Sequence, residues 1–133
     1  DQSPVDNQLI ELLSFRVSQI NGCAFCLDMH SKELLAKGES AQRLFVMAAW
    51  RETPFFSEKE RAVLNWAEAL TKLNGNRVSD DVYEEVAKYF TETELIDLTL
   101  AVTAINTANR LHIAFGAPVG AYEVGMEFDP VDA

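Results

Sequence analysis

Ile20-Asn21-Gly22-Cys23-Ala24-Phe25-Cys26-Leu27-Asp28-Met29-His30 puts a helix stop, a helix start and both cysteines of the chain side by side. Upstream, Leu9, Leu12, Leu13, Val17 and Ile20 recur at helical spacing, so Asp6 to Asn21 reads as a helix closed by Gly22. Downstream, Cys23 to Lys37 reads as a second helix ended by Gly38, and Ser40 opens a third that runs through Trp50 to Pro54. Ser57-Glu58-Lys59-Glu60 is a capping box ahead of Val63, Trp66, Ala67, Leu70 and Leu73, and that helix stops at Asn74-Gly75-Asn76. Ser79-Asp80-Asp81 starts another, with Val82, Val86, Tyr89 and Phe90 as its apolar positions. A second capping box, Thr91-Glu92-Thr93-Glu94, opens the longest helix, Glu94 to Phe115. No segment alternates with period two over a useful length. The expectation is an all-α domain of about six helices, with the cysteine pair at the N-terminus of the second.

Composition sets the outer bounds. The chain has 133 residues, 48% hydrophobic and 24% charged, the profile of one globular domain spanning residues 1–133. Its net charge of −10 argues against phosphate backbones and anionic lipid, so neither nucleic acid nor a membrane surface is an expected partner. The longest uncharged run, Leu98 to Asn109, is too short to span a bilayer, and no secretory signal is visible. A single C-x-x-C is not an extracellular disulfide framework. It points to redox or metal chemistry in a reducing compartment, and the cytoplasm is the expected location.

At about 100° per residue, a helix running from Cys23 places Cys23, Cys26 and His30 on one narrow face. Both sulfurs can then meet, and the imidazole reaches them. The thiolate is the reactive form, and a helix N-terminus or a neighbouring histidine lowers a thiol pKa. A thiol oxidised to a sulfenic acid condenses with a second thiol within reach, and an external dithiol resets the disulfide. Glu11 interrupts the apolar run Leu9-Ile10-Glu11-Leu12-Leu13 on a face continued by Ser14 and Ser18. A solvated face explains a lone glutamate. A carboxylate that orients His30 is the functional reading, because a base in a nucleophilic site usually needs a third group.

Glu11 followed by Cys23-x-x-Cys26-x-x-x-His30 resembles the alkylhydroperoxidase AhpD-like family, within the carboxymuconolactone decarboxylase superfamily. The similarity continues through Gly38-Glu39-Ser40, Ala49 to Phe56, Leu98-Thr99-Leu100 and Asn109-Arg110, covering roughly Leu9 to Pro118. The resemblance implies an all-helical antioxidant enzyme that reduces alkyl hydroperoxides and assembles as dimers, trimers or hexamers. Carried over residue by residue, Cys26 is the peroxidatic cysteine, Cys23 the resolving one, and His30 with Glu11 the proton relay. The implied partners are an organic hydroperoxide, a dithiol or protein reductant, and further copies of the chain. No cofactor or metal is expected. One position departs: characterised members carry a histidine just before the second cysteine, where this chain has Phe25.

Other readings stand beside these. Cys23, Cys26, His30 and Glu11 could supply four zinc ligands. The cysteine pair could instead report oxidation to a partner, as a redox sensor without peroxidase turnover. The dipole and free N–H groups of the helix start favour charge on Cys23, whereas His30, four residues beyond Cys26, favours Cys26 as nucleophile. His112, near the end of the longest helix, reads as a capping residue. Trp50 and Trp66 read as core, and Asn106 and Asn109 as partners of buried backbone or interface groups. The longest helix is apolar on nearly every side, so a second subunit is expected to supply one wall. The tail, 116–133, reads either as a frayed end or as an arm along a neighbouring subunit.

Overall fold

Asp6 starts the first helix by accepting the Gln8 backbone N–H on its carboxylate at 3.0 Å. A computed structural model describes residues 5–126. It contains α1 (Asn7–Asn21), α2 (Ala24–Ala36), α3 (Ala41–Phe45), a 3-10 helix (Met47–Glu52), α4 (Glu58–Thr71), α5 (Asp80–Ala87) and α6 (Glu92–Ala114). No strand occurs among the described residues, as the helical periodicity predicts.

α1 is the central element because both of its faces are apolar. Leu9, Leu13 and Val17 join Val63, Trp66 and Ala67 of α4, Val86 of α5, and Leu95, Leu98, Val102 and Ile105 of α6. On the other side Leu12 and Phe15 pack with Leu34, Leu44, Met47, Trp50, Phe56 and Leu64. Burying a leucine or valine contributes roughly 1.5–3 kcal/mol, so the two clusters pin α1 from opposite directions. Both expected capping boxes form. Ser57 caps α4 with Glu60, and Thr91 caps α6 with Glu94, which sets the start of α6 at Glu92.

The third helix departs from its expected continuous run between Ser40 and Trp50. It ends at Phe45, and the chain continues as a 3-10 helix with Ala49 outside helical geometry (φ −117°, ψ 35°). The buried side chains explain the change. Leu44, Met47 and Trp50 are spaced by three, and a helix of three residues per turn aligns them on one side. Trp50 then donates its Nε1–H to Glu68 at 2.7 Å.

Glu68 lies buried on α4 and accepts from Arg16, Trp50 and Arg51 at 2.7–3.0 Å. Burial alone would push its carboxyl up; these donors and the two guanidinium charges hold it below its ordinary value. After α6, the described part of the tail folds back on its own α2. Tyr122 is buried there and donates its hydroxyl to Glu33, while Lys32 Nζ donates to the Tyr122 carbonyl at 3.0 Å. The expected arm along a neighbour concerns residues that in part, from 127 onward, lie outside those described.

Candidate active site

The turn between α1 and α2 is built to present sulfur. Gly22 adopts a left-handed conformation (φ 73°), and the Ser18 carbonyl accepts the N–H groups of both Gly22 (2.9 Å) and Cys23 (3.1 Å). Cys23 is therefore extended (φ −88°, ψ 100°) and is the N-cap of α2, one position outside the helix that the sequence places it in. Its Sγ accepts the Cys26 backbone N–H at 3.3 Å. The consequence expected of the pair survives this shift: Cys23 and Cys26 are joined as a disulfide, with Cα atoms 5.3 Å apart. Both sulfurs are fully buried.

Asn109 and Asn106 of α6 hold this turn in place. Asn21 Nδ2 donates to Asn106 Oδ1 (2.9 Å) and Asn109 Oδ1 (3.0 Å), and Asn109 Nδ2 donates to Ser18 Oγ (3.0 Å). Asn109 is fully buried. These are the buried polar partners that two asparagines on an apolar helix require.

The second pair is Glu11 with His30, whose Oε2 and Nδ1 lie 2.9 Å apart. Burial would raise the Glu11 carboxyl, but the His30 hydrogen bond and charge, with that of Lys37, hold it below its ordinary value. An ionised Glu11 accepts, so the Nδ1 proton of His30 is fixed toward it. His30 Nε2 is buried with no hydrogen-bond partner. His30 also lines a groove of about 660 Å³ between α1, α2 and α6, together with Ser14, Asp97, Leu100 and Ala104. Thus the structure joins the four expected site residues as two pairs, Cys23–Cys26 and Glu11–His30. No hydrogen bond links His30 to either sulfur.

The imidazole against the sulfurs is His112. Its Nδ1 lies 3.7 Å from Cys26 Sγ and 2.7 Å from the Ala108 carbonyl oxygen, and its ring stacks on Phe25 at 4.5 Å between centroids. His112 lies in the last turn of α6, as expected, but it does more there than cap the helix end. Its ring bonds the carbonyl one turn back and faces the sulfurs. Cys23, Cys26 and His112 are the one group of three such donors, among the described residues, whose ligand atoms all lie within 4.8 Å of one another. The zinc set expected from Cys23, Cys26, His30 and Glu11 does not converge. In the disulfide state the two sulfurs of this three-donor group are bonded to each other.

Comparison with known proteins gives this constellation a family. Residues 2–69 match the Carboxymuconolactone decarboxylase family. The uncharacterized protein YdfG of Bacillus subtilis is 41% identical over 115 residues, covering 86% of this chain and 78% of YdfG. The chain belongs to the carboxymuconolactone decarboxylase family. Within that family its fold is AhpD-like. A crystal structure of a protein of unknown function from Agrobacterium tumefaciens, proposed to be the antioxidant defence protein AhpD, superposes with a TM-score of 0.85 at 39% identity. That match covers 90% of this chain and 82% of the other. The debrominase Bmp8 shares the fold, with a TM-score of 0.72 at 19% identity, and this chain spans 62% of its length. For a carboxymuconolactone decarboxylase family chain, the residue that sequence spacing misses is His112, which lies 86 positions from Cys26. A signal was present: Asn106, Asn109 and His112 recur every three residues as a polar stripe on an apolar helix.

Proposed function

We propose that the protein is a thiol-dependent peroxidase that reduces alkyl hydroperoxides through Cys23 and Cys26. The observation that carries this reading is the adjacency of two buried sulfurs at the head of α2. In the reduced protein the Cys26 thiolate attacks the terminal oxygen of R–O–O–H. The S–O bond forms, the O–O bond breaks, and the departing alkoxide takes a proton to leave as R–OH. Cys26 is then a sulfenic acid. Cys23 attacks that sulfur, the disulfide forms and water leaves. An external dithiol returns both thiols and is itself oxidised to a disulfide, which places the cycle in a reducing compartment such as the cytoplasm.

Glu11 and His30 serve as the proton relay. Glu11 holds the Nδ1 proton, which leaves Nε2 as the basic nitrogen, and a water or the hydroperoxide itself bridges to Cys26. The groove beside His30 is walled by Leu100, Ala101, Ala104 and Ala108 of α6, an apolar lining that suits an alkyl chain. The same helix exposes Ile96, Leu100 and Leu111 on one side, so the active form is a homo-oligomer in which a second copy covers this face. Among the described residues no helix is long and apolar enough to cross a membrane.

A second reading is favoured by the burial of both sulfurs beneath the Phe25–His112 stack: a redox sensor whose disulfide reports oxidation without turnover. Consumption of cumene hydroperoxide with a dithiol reductant separates the two. Many turnovers per chain are expected. A single stoichiometric burst would overturn the peroxidase in favour of the sensor.

A further inference from the structure

Among the described residues each sulfur has one donor, and the two donors differ in kind. Cys23 Sγ receives the neutral backbone N–H of Cys26 at 3.3 Å. Cys26 Sγ has His112 Nδ1 at 3.7 Å, from the opposite element, α6. The Ala108 carbonyl at 2.7 Å from the same nitrogen decides what His112 can do there. A carbonyl oxygen only accepts, so Nδ1 carries its proton whether the ring is neutral or cationic. An Nδ1 that is already protonated cannot take a proton from a thiol. It can donate, shared between the carbonyl and the sulfur. The ring is also held from its face, stacked on Phe25 at 18° between planes.

We propose that His112 is a catalytic residue of this site, a fixed hydrogen-bond donor that holds negative charge on Cys26. It counters the advantage that the start of α2 gives Cys23. The same donor acts when the disulfide is reduced. An incoming thiolate attacks Cys23 Sγ, a new S–S bond forms to Cys23, and the Cys23–Cys26 bond breaks with its electron pair on Cys26. The Nδ1–H then stabilises the leaving thiolate. His30 has a different task. Its Nδ1 proton goes to Glu11, and its Nε2 is left to accept, so the site has one histidine that donates and one that accepts. Among the described residues, the titratable groups in contact with Cys26 are its disulfide partner Cys23 at the head of α2 and His112 on α6, while His30, one turn further along α2, is paired with Glu11 of α1.

The proposal rests on the thiol-redox reading, but its test needs no hydroperoxide, so the two can fail separately. In a Cys23→Ser background, Cys26 is the sole thiol, and its ionisation is read from thiolate absorbance and alkylation rate against pH. His112→Phe keeps a ring to stack on Phe25 and removes the donor. It is expected to cut the thiolate fraction of Cys26 near neutral pH about tenfold, the scale of a hydrogen bond to a charged group. His112→Asn keeps an N–H at the position of Nδ1 and is expected to lose less than about twofold on the same scale. In a Cys26→Ser background, His112→Phe is expected to leave Cys23 unchanged. An unchanged Cys26 in His112→Phe overturns the proposal. So does an equal loss in the phenylalanine and asparagine variants, which would mark packing rather than donation. Circular dichroism equal to the parent confirms that each variant tested is folded.

Discussion

At the scale of the residue, the proposed peroxidase cycle divides the work of the two sulfurs according to what surrounds them. Cys23 caps α2 and takes a backbone N–H, which prepares it to be attacked by a thiol. Cys26 faces the imidazole of His112 and lies one turn before His30, which prepares it to attack. Cys23→Ser, treated with hydroperoxide and a sulfenic-acid trap, is therefore expected to carry the trapped adduct on Cys26 and to stop after one turnover. Cys26→Ser is expected to consume almost nothing. A sulfenate found on Cys23 in Cys26→Ser would reverse the assignment. Glu11→Gln tests the relay. A neutral amide lacks the charge that stabilises a protonated His30 and can flip to donate to Nδ1, so kcat is expected to fall by about a hundredfold, the usual contribution of a positioned proton carrier, while KM for the hydroperoxide changes little. Equal losses in kcat and in binding would place Glu11 in the substrate groove instead. Four of these side chains were legible in the sequence because Cys23, Cys26 and His30 share one stretch, and Glu11 breaks an apolar run. His112 was not, since only the packing of α6 on α2 brings it to Cys26.

At the scale of the element, the α1–α2 turn determines whether the sulfurs are aimed at all. Gly22 sits at φ 73°, and a Cβ there would meet nothing within 4 Å, so the cost of a side chain is purely conformational. Gly22→Ala is expected to lower stability by about 1 kcal/mol, measured by urea unfolding. A neutral result would mean that the turn relaxes to negative φ. Asn109 is the stronger anchor. Replacing it with leucine removes the amide that donates to Ser18 and one of the two acceptors of Asn21, and is expected to cost about 2 kcal/mol. Helix starts were readable here because capping boxes are local: Ser57 with Glu60 and Thr91 with Glu94 form as their spacing requires. The break after Phe45 was not readable. Ser40 to Trp50 carries no glycine or proline, and what bends it is the distant core that buries Leu44, Met47 and Trp50 at a spacing of three.

At the scale of the whole molecule, charge and the apolar face of α6 govern behaviour in solution. Glu11, Glu60 and Glu68 are all held below the ordinary carboxylate value of 4.5. Each contributes stability that is fully present above that value and is lost as pH falls through its lower folded value. Acid unfolding followed by circular dichroism is expected to begin below about pH 4.5, and Glu68→Gln, which removes the titratable charge and one of the two oxygens that accept from Trp50, Arg16 and Arg51, is expected to flatten it. Tyr122 works in the opposite direction. Its hydroxyl is pushed up to about 12 by burial and by Glu33, so its share of stability is present below pH 10 and is lost as pH rises toward that value. The proposed assembly rests on α6. That helix buries Leu95, Leu98, Val102 and Ile105 within the chain but leaves Ile96, Leu100, Leu111 and Ile113 about half exposed. Leu100 is 59% exposed and forms one wall of the groove that His30 lines. An apolar wall that is continuous with the site and open to water is stabilised when a second copy covers it. Light scattering at micromolar protein is therefore expected to give a multiple of 14.8 kDa. Leu100→Glu, which puts a charge on this exposed apolar face, is expected to shift the particles toward monomer. A wild-type protein that runs as a 14.8 kDa monomer would sink the assembly and leave the groove beside His30 open on one side.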